Sequence, residues 1–184
     1  MSPSLRLFVA LAVPHSVREA VSAAAAPLRG MGADLAWTDP AGWHLTVAFL
    51  GQTDPAVLHA LTSALTEVIA GFAVFEVQLR PIAGRNARSG VLWVELEPCE
   101  PLQAVSAAVS ATLGDLGLRT EERAFRPHLT LARARARRSV PRSLADAYCG
   151  PAIAWTVPAL ELVRSHLRRA GARYETMVSF PLSS

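Results

Sequence analysis

The chain has 184 residues, 51% hydrophobic and 18% charged, a globular composition that excludes a disordered chain. Its net charge is +3 and all 18 basic residues are arginine; guanidinium suits phosphate, but an Ala- and Arg-rich chain without lysine also arises from a GC-rich genome. No apolar run reaches the roughly 20 residues of a membrane helix, and Cys99 and Cys149, with no CxxC spacing, point to neither a zinc site nor a disulfide framework.

Residues 5–13 read as a buried strand. A signal peptide fits less well, because the apolar stretch is short, follows a single arginine and runs into Pro14-His15; a cytoplasmic protein is expected. Pro14 opens an Ala-rich helix over 15–28, which Gly30 and Gly32 end. A short segment at 35–37 precedes the turn Thr38-Asp39-Pro40-Ala41-Gly42, and 43–50 reads as a strand closed by Gly51. Asp54-Pro55 starts a helix over 56–69, with Leu58, Leu61, Leu65 and Ile69 at helical spacing. Residues 75–79 alternate like a strand with one wet face, 87–90 read as a turn and 91–96 as a strand. Leu102, Val105, Val109, Leu113 and Leu116 line one face of a helix. A strand over 126–133, a basic exposed stretch over 134–138, a short helix within 140–148 and strands over 157–163 and 174–180 complete the chain. This order predicts an α+β fold with helices on mostly antiparallel sheets. No low-complexity linker divides it, so one domain over 1–184 is expected, with lobes near 1–97 and 98–184 that exchange some strands.

One element occurs twice. Trp43-His44-Leu45-Thr46-Val47-Ala48-Phe49-Leu50-Gly51 and Pro127-His128-Leu129-Thr130-Leu131-Ala132-Arg133 share His-Leu-Thr, then an aliphatic residue and Ala. Side chains alternate along a strand, so His44 and Thr46 share one face, and so do His128 and Thr130. If a pseudo-two-fold axis relates the halves, two imidazoles flank one small pocket. Two groups of pKa near 6.5 can divide acid and base roles at neutral pH, as in-line displacement at phosphorus requires, with threonine hydroxyls donating to the non-bridging oxygens. No carboxylate or cysteine cluster at ligand spacing accompanies either histidine, so no metal is expected.

With these paired motifs, the chain resembles the 2H phosphoesterase superfamily, and within it the RNA 2′,3′-cyclic phosphodiesterase branch, also called 2′-5′ RNA ligase. The resemblance extends to Arg6-Leu7-Phe8-Val9-Ala10-Leu11, to Phe125-Arg126-Pro127, and to the ending Gly171-Ala172-Arg173-Tyr174 and Phe180-Pro181-Leu182. It implies a bilobal fold of two pseudo-two-fold-related sheet-and-helix lobes around a central groove. It further implies metal-free hydrolysis of 2′,3′-cyclic phosphate to 2′-phosphate, with no cofactor, His44 as general acid and His128 as general base. The two motifs are too symmetric for the sequence itself to assign those roles. One departure is Arg164-Ser165, where many relatives carry Glu-Ser.

Other residues carry open readings. Arg126 shares the His128 face if the strand has begun by then, and can pair with phosphate; Arg133 has the opposite parity unless a bulge intervenes. The run Arg133, Arg135, Arg137, Arg138 fits either an RNA backbone contact or a solvated loop. Trp37, Trp43, Trp93 and Trp155 fit core packing or a base platform. Phe49 falls on the core face by parity, and His15, His59 and His166 read as surface residues. Three functions fit: hydrolysis of cyclic phosphate ends on RNA or small nucleotides, a related activity (2′-5′ ligation or another cyclic phosphate), or a non-catalytic nucleotide- or RNA-binding module. A monomer is expected, with no membrane partner.

Overall fold

The computed structural model describes residues 3–31, 34–118, 124–135, 139–168 and 171–184; Gly32, Arg137 and Arg138 lie outside them. The elements are β1 (Leu5–Ala12), α1 (His15–Arg29), β2 (Leu35–Trp37), β3 (His44–Thr53), α2 (Leu58–Ala70), β4 (Phe75–Asn86), β5 (Val91–Leu96), α3 (Glu100–Asp115), β6 (His128–Ala134), α4 (Arg142–Asp146), β7 (Ile153–Val157), β8 (Ala159–Arg168) and β9 (Gly171–Pro181). Short 3-10 turns at Pro40–Gly42 and Pro55–Val57 begin at Asp39 and Asp54, whose carboxylates accept the Ala41 and Ala56 amides.

The strands form two antiparallel sheets. One runs β3-β1-β8-β9, the other β2-β6-β5-β4-β7. In each, the motif strand pairs with the strand that precedes it across one α-helix: β1 and β3 flank α1, with β2 lent to the other sheet on the way, and β5 and β6 flank α3. Continuing inward, β8 lies beside β1 as β4 lies beside β5, so the two four-strand sets match in order. Strands cross residue 97 to complete both sheets: β8 and β9 join β1, while β4 and β5 join β6.

Alternation explains the faces. Leu7, Val9 and Leu11 of β1, Leu45 of β3 and Leu162 of β8 are buried in one core, with Leu92 and Val94 of β5 and Leu129 of β6. The helices add the stripes their periodicity predicts: Val17, Val21, Ala25 and Leu28; Leu61, Leu65 and Ile69; Leu102, Val105, Val109 and Leu113. Each Val, Leu or Ile among them contributes about 1.5–3 kcal/mol by leaving water. Phe8, Ala10 and Val163 form a separate buried cluster on the other face of the first sheet.

Several boundaries differ from expectation for identifiable reasons. β4 continues past residue 79 to Asn86, with its pairing interrupted between Leu79 and Ala83, where Pro81 has no N–H to give. The strand expected over 157–163 is two strands: Pro158 separates β7, in one sheet, from β8, in the other. β6 begins at His128, so Arg126 and Pro127 precede the strand. No helix among the described residues is long and apolar enough to cross a membrane.

Candidate active site

His44 opens β3 and His128 opens β6. Their registers put them on the faces turned away from the core: His44 pairs with Ala12 and Thr46 with Ala10, while His128 pairs with Glu95 and Thr130 with Trp93. β3 and β6 also touch one another, so the two motif copies meet where the sheets face.

The two imidazoles are held alike. Nδ1 of His44 donates to the Gly42 carbonyl at 2.8 Å, and Nδ1 of His128 donates to the Arg126 carbonyl at 2.8 Å. A carbonyl only accepts, so Nδ1 carries the proton in both neutral rings and Nε2 is the basic nitrogen. Both bonds reach back two residues, a local geometry that any His at the start of such a strand can adopt. Arg126, exposed, thus contributes its backbone to orienting His128.

Aromatic rings flank each histidine. Phe8 and Tyr174 lie 4.6 and 4.7 Å from His44, ring centre to ring centre, and Trp93 lies 5.5 Å from His128. Gly42 and Gly84 leave room for this packing. A side chain at Gly42 would press on the Tyr174 ring, and one at Gly84 would overlap the Trp93 indole at 2.5 Å. Trp43 is instead buried, and Trp155 belongs to the core. Burial lowers the pKa of His44 most; the Gly42 hydrogen bond opposes this, while Arg133 and His128 add like charge that lowers it further.

A bulge follows Thr in both copies. β1 residues Val9 and Ala10 pair with Ala48 and Thr46, skipping Val47. β5 residues Leu92 and Trp93 pair with Ala132 and Thr130, skipping Leu131. Each extra residue reverses the parity of those after it. Phe49, expected in the core, is therefore 43% exposed on the histidine face, 6.0 Å from Phe8. Arg133, of the wrong parity in a regular strand, pairs with Val91 on the histidine face, and its charge acts on His44. Phe49 and Arg133 occupy the same place in the two copies, five residues after the histidine.

Thr46 and Thr130 are half-buried, and neither hydroxyl has a hydrogen-bond partner among the described residues. Among those residues, no group of three or more His, Cys, Asp or Glu is arranged to hold a metal ion. Two surface clefts, of about 330 and 290 Å³, include none of the motif residues. His15 bonds with Glu19 on the surface, and His166 with Glu175 at 2.7 Å. Arg164 pairs with Glu175 in the β8–β9 ladder, one step out of phase with Ser165 and its partner Tyr174. Tyr174 packs on His44, so position 164 faces away from the histidines.

The sequence profile of the 2′-5′ RNA ligase superfamily matches residues 11–169. The RNA 2′,3′-cyclic phosphodiesterase of Geobacillus stearothermophilus is 26% identical over 95% of the chain, which spans 56% of that protein's length. The enzyme of the same name from Methanothermobacter thermautotrophicus is 26% identical over 97% of the chain and 99% of its own length. A crystal structure of a Thermus thermophilus protein superimposes with a TM-score of 0.82 at 26% identity, covering 96% of this chain and 97% of that one. With that profile spanning most of its length, the chain belongs to the 2′-5′ RNA ligase superfamily.

Proposed function

We propose that the protein hydrolyses the 2′,3′-cyclic phosphate of an RNA end or a nucleoside to a 2′-phosphate, without metal, using His44 and His128 as an acid–base pair. The observation that carries this is the matched pair of imidazoles, each with Nδ1 tied to a carbonyl and Nε2 left free, on motif strands that meet. His128 Nε2 takes a proton from water as its oxygen bonds to phosphorus. The bond from phosphorus to the 3′ oxygen breaks on the opposite side, and His44 Nε2 delivers a proton to that oxygen. The products are a 2′-phosphate and a free 3′-hydroxyl. Thr46 and Thr130 donate to the non-bridging oxygens, and Arg133 offsets their charge. Arg126, two residues before His128, is proposed as an additional phosphate contact. A binding module has no use for two titrating groups so arranged.

Aromatic rings beside both histidines favour one further reading. Phe49 and Tyr174, both exposed, offer a base platform on the His44 side, backed by buried Phe8, and Trp93 offers one on the His128 side. A diester with a nucleoside on each side of phosphorus, as in 2′-5′ ligation or its reverse, would use both. The protein is proposed to act as a cytoplasmic monomer, in keeping with two free cysteines.

The direct test is phosphorus NMR of adenosine 2′,3′-cyclic phosphate incubated with enzyme in EDTA. Accumulation of the 2′-phosphate is expected; turnover that requires an added divalent metal, or a 3′-phosphate product, contradicts the proposal. The pH profile adds a signed test. The acid step needs His44 protonated, and in the free enzyme that form is lost as pH rises through a pKa below the ordinary 6.5. One limb of the bell-shaped kcat/KM profile should therefore lie below pH 6.5. In kcat the same limb should move to higher pH, because bound phosphate favours the imidazolium. Two limbs both above pH 6.5 would exclude His44, with its lowered pKa, as the acid.

A further inference from the structure

A β-bulge removes a carbonyl from the ladder, and a buried carbonyl needs a new donor. Both motif-strand bulges find one in a side-chain hydroxyl from outside the strand pair. At β6, Thr38 Oγ1 shares its one proton between the carbonyls of Thr130 and Leu131, each at 2.8 Å, while the Thr38 amide donates to Leu131 O at 2.9 Å. At β3, Ser106 Oγ donates to Val47 O at 3.2 Å. Ser106 is on α3 and only 3% exposed, one of two buried polar residues among those described. Val47 and Leu131 are the two extra residues of the bulges.

Thr38 also joins the two sheets. It follows β2, which pairs with β6, and its oxygen accepts Trp43 Nε1–H at 2.7 Å. Trp43 is 5% exposed and immediately precedes His44. A chain of hydrogen bonds thus runs from the residue beside one catalytic histidine to the carbonyls just beyond the other. The connection between them, residues 38–42, is also stiffened by the Asp39 cap and supplies the Gly42 carbonyl that orients His44.

The geometry points to Thr38 and Ser106 as positioning residues for the acid–base pair: their hydroxyls hold the two bulges that turn Arg133 and Phe49 onto the histidine face, and Thr38 sets the spacing between the motif strands. This rests on the two-histidine reading, but its structural part is measurable without turnover. Neither residue touches substrate. Each acts through the strand it anchors, as expected where a displacement of about 1 Å at reacting groups can cost a hundredfold in rate.

The test compares Thr38→Val, Thr38→Ser and Ser106→Ala with wild type. Thr38→Val keeps the shape and loses the donor. Its kcat on adenosine 2′,3′-cyclic phosphate should fall about tenfold to a hundredfold, with KM changed much less. Thr38→Ser should recover most of the loss, and Ser106→Ala should fall in the same direction. Proton NMR of the His44 ring gives the second readout. Once Arg133 and His128 are no longer held near it, their like charge lowers its pKa less, so in Thr38→Val that pKa should rise. If Thr38→Val does not fold, Trp43→Phe removes the Nε1–H link, together with part of the ring's packing, and should show the same two effects more weakly. Wild-type kcat and an unchanged His44 titration in folded Thr38→Val would overturn the inference, as would equal losses in Thr38→Ser and Thr38→Val. An inactive wild type would count against the proposed reaction alone, and the NMR titration would still decide the role of Thr38.

Discussion

Alanine at either His44 or His128 is expected to lower kcat on adenosine 2′,3′-cyclic phosphate by about 10²–10⁴-fold, the range for one positioned acid or base. The fold should survive, because each imidazole makes one backbone hydrogen bond at the start of a strand and neither belongs to the hydrophobic core. The double variant should lose little more than the worse single one, since the two groups act in the same proton-coupled step. Circular dichroism and thermal unfolding beside the kinetics separate loss of chemistry from loss of structure. A single variant within tenfold of wild type would contradict the acid–base pair.

Arg133→Met is expected to lower kcat/KM about 10²–10³-fold, comparable with removing one donor from a site where negative charge develops. It should also raise the pKa of His44, because Arg133 lowers it through like charge. These two effects have opposite consequences for the pH profile. Activity falls at every pH, while the limb of kcat/KM set by His44 moves upward. Methionine keeps most of the aliphatic stem, so loss of packing contributes little. Arg133→Lys should recover part of the activity, since a point charge replaces a planar fork. A large loss with no movement of the limb would place Arg133 outside the reach of His44. No loss at all would remove it from the phosphate site.

The repeated His-Leu-Thr was legible because strand alternation needs only the local sequence, and both copies keep that alternation as far as Thr. Helical stripes such as Leu61, Leu65 and Ile69 were legible for the same reason. Phe49 and Arg133 were not, because their faces depend on bulges set by pairing with β1 and β5. The motif does carry a trace of the bulge: both copies follow Thr with an aliphatic residue and Ala. Thr38 and Ser106 left no signal, since they act on carbonyls, which every residue has, and only tertiary packing brings them there. The strand expected over 126–133 starts two residues later, so Arg126 entered the site through its backbone. Sheet membership was hidden as well. β8 joins β1 across most of the chain, a pairing no local pattern encodes.

The most direct measurement of the central claim uses a nucleoside phosphodiester whose leaving group is p-nitrophenol, which departs without a proton. His44→Ala and His128→Ala would be compared on it and on adenosine 2′,3′-cyclic phosphate. His44→Ala is expected to regain most of its lost rate on the activated ester, while His128→Ala, lacking the base for water, stays impaired on both. Rescue of His128→Ala alone would reverse the two roles, and equal impairment of both variants on both substrates would contradict an acid–base division between these histidines.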